Sequence, residues 1–145
     1  MQVLIVGGGR TGADLASQLI QEGHNVTLIE QRQELISRLA KEVPRAQVIH
    51  GDGCEPTVLE QANVRRANVV VAVTDDDEDN LVVCLLAREE FRVRRTLARV
   101  NNPRNEWLFN EDWGIDVAVS TPRMLASLVE ARECGAACVV GEQCT

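Results

Sequence analysis

Gly7, Gly9 and Gly12 stand in the spacing G-x-G-x-x-G directly behind the apolar run Val3-Leu4-Ile5-Val6. The chemistry this spacing serves is the holding of a phosphate by backbone amides. The first glycine makes a tight turn, the second lets the backbone approach a pyrophosphate, and the third lets a helix pack closely on a strand. Amide N–H groups and the dipole at the start of that helix then favour an anion. Arg10 lies in the loop, where the helix dipole disfavours a cation. Either a bound diphosphate or triphosphate relieves that conflict through paired hydrogen bonds, or the side chain points into water; the sequence weighs the two equally.

Glu30 follows Gly12 by 18 residues, at the end of a second apolar run, Val26-Thr27-Leu28-Ile29. A carboxylate at that place accepts hydrogen bonds from a ribose diol, the alternative being a solvated acid at a strand end. It would repel a 2'-phosphate, which favours NAD or an adenine nucleotide over NADP, with Arg32 keeping NADP open. Asp52, in Gly51-Asp52-Gly53-Cys54 behind a third run, lies near an adenine or is only a turn residue. The acidic stretch 75–79 alternates like a calcium loop. Asn80 stands in place of the required glycine and Leu86 in place of the bidentate glutamate, which excludes an EF-hand. The stretch reads instead as helix caps, with Thr74 and Asp75 close enough to line a nucleotide cleft. Arg99 and Asn101 end a fifth run and face the same cleft, a structural salt bridge being the alternative for Arg99.

Groups for turnover are scarce. Lys41 is the only lysine and tyrosine is absent, which excludes a Walker-type loop and a Tyr-Lys acid/base pair. His24 falls in a turn on the wrong edge of the sheet and His50 at a strand end, so neither makes a good acid/base for hydride transfer. Cys54, Cys84, Cys134, Cys138 and Cys144 are odd in number, and the cluster Cys134, Cys138 and Cys144 contains no C-x-x-C and has no histidine close by. They read as reduced thiols, not as a disulfide framework or a metal site. A nucleotide site without catalytic groups suggests sensing.

The elements that must position these residues alternate strictly. Leu15, Ala16, Leu19 and Ile20 mark a helix ending near Gly23, and Leu35, Ile36, Leu39, Ala40 and Val43 a second, stopped by Pro44. Val48 and Ile49 begin a third strand. Pro56 opens a short helix with Val58, Leu59 and Ala62 inward. Val69-Val70-Val71-Ala72-Val73 is a strand buried on both faces, followed by an apolar helix over 81–87. Thr96-Leu97-Ala98-Arg99-Val100 forms a fifth strand, Trp107 to Phe109 a short helix, and Val117-Ala118-Val119 a sixth strand. Met124, Leu125, Leu128 and Val129 are expected to face inward from a last helix. The expectation is an α/β fold: one doubly wound, Rossmann-like domain over residues 1–133, with a six-stranded parallel sheet of order 3-2-1-4-5-6. Residues 134–145 form a carboxyl-terminal extension, read as the start of a further element.

A chain of 145 residues suits a single domain, and no run is long enough to cross a bilayer, so a cytoplasmic protein is expected. The net charge of -7 argues against nucleic acid as a partner.

Taken together, Val3 to Gly12 with Arg10, Gly23-His24-Asn25-Val26 leading to Glu30, and Gly51-Asp52-Gly53 resemble the RCK or KTN (TrkA-N) domains that regulate potassium channels and transporters. The likeness continues through Val73-Thr74-Asp75 with Asn80 and Leu81, Arg99-Val100-Asn101, Gly114-Ile115-Asp116 and Ser120-Thr121-Pro122. The resemblance implies homodimers that assemble into a larger ring and couple a regulatory ligand, NAD(H) or ATP, ADP or AMP, to a membrane-embedded potassium pore. It implies that Gly7, Gly9, Arg10, Thr11 and Gly12 hold phosphates, Glu30 the ribose, and Asp52 and Gly53 the adenine. Thr74, Asp75 and Arg99 would border the cleft, and Gly8, Gln31, Arg32, Cys54 and Val73 complete the candidate site. The competing reading is a small NAD-dependent oxidoreductase module whose substrate residues come from elsewhere.

Overall fold

The computed structural model describes residues 1–131. Alternating strands and helices run in the order β1 (Gln2–Val6), α1 (Arg10–Gln21), β2 (Asn25–Glu30), α2 (Gln33–Glu42), β3 (Gln47–His50) and α3 (Pro56–Gln61). The second half continues with β4 (Val69–Ala72), α4 (Asp77–Leu85), β5 (Arg95–Arg99), β6 (Val117–Val119) and α5 (Thr121–Glu130). A π-helical turn, Leu86–Glu90, extends α4, and short 3₁₀ turns fill the connection from β5 to β6. All five strand pairings are parallel and the order is β3-β2-β1-β4-β5-β6, as the sequence pattern predicts.

The sheet is covered on both faces because its strands are apolar at successive positions. Along β1, Leu4 and Val6 pack into one core layer with Val58, Leu59, Leu81 and Val83, while Val3 and Ile5 pack into the other with Ala16, Leu28 and Leu39. Period-two alternation thus feeds two cores rather than one core and solvent. Register then sets the site. Val6 lies opposite Ile29 on one side and Ala72 on the other, and Ala72 lies opposite Ala98, so the four central strands end level with one another. Whatever follows Val6, Ile29, Ala72 and Ala98 is gathered along one edge of the sheet.

One expectation fails. The apolar residues of α5 do not face inward: no residue of that helix is buried among the described residues, and Leu125, Leu128 and Val129 are exposed, Val129 to 75%. Helical spacing shows that a face is apolar but not that anything lies against it. In the β5–β6 connection Phe109 is buried and Trp107 is 75% exposed. Residues 134–145, with Cys134, Cys138 and Cys144, lie outside the described residues. No helix among those described is long and apolar enough to cross a membrane.

Candidate functional site

The glycines of the first loop have separate structural reasons. Gly7 has φ +116°, a region side-chain-bearing residues rarely adopt, and a Cβ there would lie 2.8 Å from the Val73 carbonyl. A Cβ on Gly12 would lie 1.7 Å from the Gly7 carbonyl oxygen, so only glycine lets α1 start so close to the turn. Gly9 is the N-cap of α1 in extended conformation. It offers no side-chain cap, and the first turn of the helix carries no acid. Neither the cap nor the first turn therefore supplies an anion at the positive end of this helix dipole. Arg10 points outward, 4.0 Å from Asp14 one turn on. Its geometry is that of an exposed side chain at the rim.

Glu30 ends β2 beside this loop and is 4% exposed. Its Oε1 accepts from the Gly8 amide at 2.9 Å, and its Oε2 accepts from the Arg32 amide at 2.6 Å. The Arg32 guanidinium closes on both oxygens, with Nε 3.2 Å from Oε2 and Nη2 3.2 Å from Oε1. Burial alone would raise the carboxyl pKa, but these donors outweigh it and hold Glu30 below the ordinary carboxylate range. Gly8, outside the three-glycine fingerprint, has its own reason: a Cβ would meet Leu39 at 2.5 Å and the Glu30 side chain beyond it.

Opposite, the ends of β4 and β5 are knotted together by two buried side chains. Asn80 is fully buried; its Oδ1 accepts from the Thr74 amide and hydroxyl, and its Nδ2 donates to the carbonyls of Thr74 and Arg99. Asp77 accepts four hydrogen bonds, from the amides of Asn101 (2.6 Å) and Asn102 (2.9 Å) and the side chains of Asn101 and Asn105. Desolvation would raise its pKa; the four donors more than offset this and hold it low. Sequence reasoning assigned neither residue to the site. Apart from Thr74, six positions from Asn80, their partners lie 19 to 28 positions along the chain, and no local pattern reports such pairs.

Arg99, fixed at the end of β5, leans over the loop. Its Nη1 donates to the Thr11 hydroxyl at 2.9 Å, and its Nη2 to the Thr74 carbonyl at 3.0 Å and to Asp75 Oδ1 at 3.1 Å. Both sequence alternatives for Arg99 therefore hold, since it forms a salt bridge and lines the cleft. Asp52 makes the turn after β3, its Oδ1 accepting from the Cys54 amide at 2.9 Å. The Cys54 thiol lies 3.5 Å from Asp79 Oδ1; burial, then the nearby carboxylates, push its pKa up. Cys84, in the core, is pushed up to about 12 by burial.

These elements enclose a cleft of about 330 Å³ at the carboxyl ends of the strands, where the strand order reverses between β1 and β4. Fourteen of the sixteen sequence-derived candidates line it: Gly7, Gly9, Arg10, Thr11, Glu30, Gln31, Arg32, Asp52, Gly53, Cys54, Val73, Thr74, Asp75 and Arg99. Gly8 and Gly12 lie behind the lining, one against Glu30 and the other under the turn. Neither His24, which contacts the amino terminus, nor His50, bonded to the Gln31 carbonyl, lines the cleft.

A parallel sheet of this order with a cleft at its switch point defines a Rossmann-type domain. More narrowly, the chain belongs to the TrkA-N domain family, whose model matches residues 3–121. It is 50% identical over 130 residues to a Trk system potassium uptake protein TrkA of Mycobacterium tuberculosis, covering 90% of this chain and 58% of that protein. The fold is also that of the TrkA-N domain of the inner membrane protein ybaL from Escherichia coli. The TM-score is 0.79 at 19% identity, over 91% of this chain and 96% of the other. A structure of GsuK bound to ADP superposes with a TM-score of 0.73 at 26% identity, over 89% of this chain and 32% of that one.

Proposed function

We propose that the cleft binds NAD(H) or an adenine nucleotide, ATP, ADP or AMP, as a regulatory ligand. In this reading the domain is a cytoplasmic regulatory part of a potassium channel or transporter and turns nothing over. One observation carries it: the start of α1, without cap or acid of its own, faces the same cleft as the low-pKa Glu30 carboxylate. An adenosine phosphate has the complementary pair of groups, an anion for the helix and a ribose diol for the carboxylate. Phosphates then lie against Gly7, Gly9, Arg10 and Thr11, the ribose against Glu30, and the adenine toward Asp52 and Gly53, while Gly12 acts through packing. Thr74, Asp75 and Arg99 border the phosphates. The potassium uptake protein among the relatives and the ADP bound by GsuK support the ligand and the setting. The partner is a membrane-embedded transport subunit, reached through homodimers that assemble into a ring.

A thermal-shift panel of NAD, NADH, NADP, ATP, ADP and AMP tests this. A ligand at 100 times its Kd stabilises the fold by about 2.7 kcal/mol, well within reach of the method. Shifts are expected with NAD(H) or the adenine nucleotides and smaller ones with NADP. Glu30→Ala weakens all ribosyl ligands, and Arg10→Ala penalises them in proportion to phosphate charge. No shift with any member contradicts the reading, and hydride transfer to a substrate in an absorbance assay contradicts the absence of turnover.

A further inference from the structure

Three successive aspartates after β4 have different fates. Asp76 caps α4, its Oδ1 accepting from the Asp79 amide at 3.0 Å, and Asp77 is buried under four donors. Asp75 does neither. Its side chain is 82% exposed and, among the described residues, is held only by two arginines, with Oδ1 3.1 Å from Arg99 Nη2 and Oδ2 3.8 Å from Arg32 Nη1. The arginines are anchored elsewhere: Arg99 by Thr11 and the Thr74 carbonyl, Arg32 by the fork on Glu30. An ionic strap thus crosses the cleft mouth, from the end of β2 through the end of β4 to the end of β5 and the start of α1. Glu30, Arg32, Asp75 and Arg99 sum to zero charge along it.

We propose that Asp75 sets the ligand preference of this cleft as a built-in counter-ion. A phosphate-bearing ligand must displace it from Arg99 and Arg32, and it grades ligands by their phosphate charge. The proposal rests on the nucleotide reading above and adds the residue that tunes it. The carboxylate is the part that moves. It is exposed and bonded only to the two arginines among the described residues, whereas Arg99 is mostly buried and is also fixed by the Thr11 hydroxyl and the Thr74 carbonyl. Phosphate oxygens arriving at the first turn of α1 would meet Arg99 beside Thr11, and they would compete there with Asp75 for the same guanidinium. Removing the carboxylate removes both the competition and a repulsion that grows with ligand charge.

The test compares the wild-type protein with Asp75→Asn by calorimetric titration of AMP, ADP, ATP and inorganic pyrophosphate, in chelator to exclude divalent cations. An exposed ion pair is worth ~0.4–1 kcal/mol at the upper part of its usual range, so Asp75→Asn should bind ADP about two- to fivefold more tightly. The gain should rise from AMP to ATP, shrink at high salt and vanish in an Arg99→Gln background. The exposure of Asp75 keeps the variant folded. Uniformly weaker nucleotide binding by Asp75→Asn would overturn the proposal, because it would make Asp75 a direct ligand of the nucleotide. Pyrophosphate separates the two readings. If no nucleotide binds but pyrophosphate binds more tightly to Asp75→Asn, the strap stands and the nucleotide assignment fails. If pyrophosphate is indifferent to the substitution, the strap fails whatever the nucleotides do.

Discussion

Helices α1 and α4 begin at neighbouring central strands, on the same edge of the sheet, and end their dipoles in opposite ways. At α4 the protein completes the helix itself, with Asp76 as cap and Asp77, Glu78 and Asp79 in the first turn. At α1 the cap is Gly9, the first turn has no acid, and Arg10 and Thr11 stand there instead. The peptide dipole is the same in both. One end is neutralised from within the chain, while the cap and first turn of the other carry no acid, which leaves it open to the ligand anion proposed above.

Substitutions that break this contrast should have graded effects. The largest is Gly12→Ala. Its methyl group would overlap the Gly7 carbonyl oxygen, which forces α1 off the loop at a cost of about 3 kcal/mol or more in urea denaturation. Next is Asp77→Ala, which strands the Asn101 and Asn102 amides and should cost about 2–3 kcal/mol. Asp77 also carries a pH signature. Its folded pKa lies below the unfolded value, so its stabilisation is complete above the unfolded pKa and is lost as pH falls through the folded one. The wild type should therefore lose more stability than Asp77→Asn between neutral pH and pH ~3. Asp76→Ala removes the α4 cap alone and should cost about 1 kcal/mol.

The α1 side of this contrast was legible in the sequence and the α4 side only partly. Val3 to Gly12 and Glu30 declare themselves because their spacing is local: one strand, one turn, one helix start, then the next strand end. The acids at 75–79 were readable as caps for the same reason. Asp77 and Asn80 act across the sheet on Asn101, Asn102, Asn105 and Arg99, and that pairing exists only once β4 and β5 lie side by side. The role of Gly8 depends likewise on Leu39 and Glu30 arriving from two other elements. The fate of α5 was illegible for a different reason. Its apolar face is real, but periodicity carries no information on what, if anything, covers it.

The central claim is that α1 takes its anion from a ligand, and Gly9→Asp tests it most directly because it gives α1 the kind of cap α4 already has. Gly9 has φ -70°, and a Cβ there would meet only Arg32 Nη2, at 3.5 Å, so the substitution fits the fold. It should leave stability unchanged or raise it by about 0.5 kcal/mol through the cap and the dipole. Calorimetric titration with ADP should show binding by the wild type and at least about tenfold weaker binding by the variant, a loss of ~1.4 kcal/mol at a site the added carboxylate now occupies. Equal affinity in the two proteins, with the variant fully folded, would contradict the account.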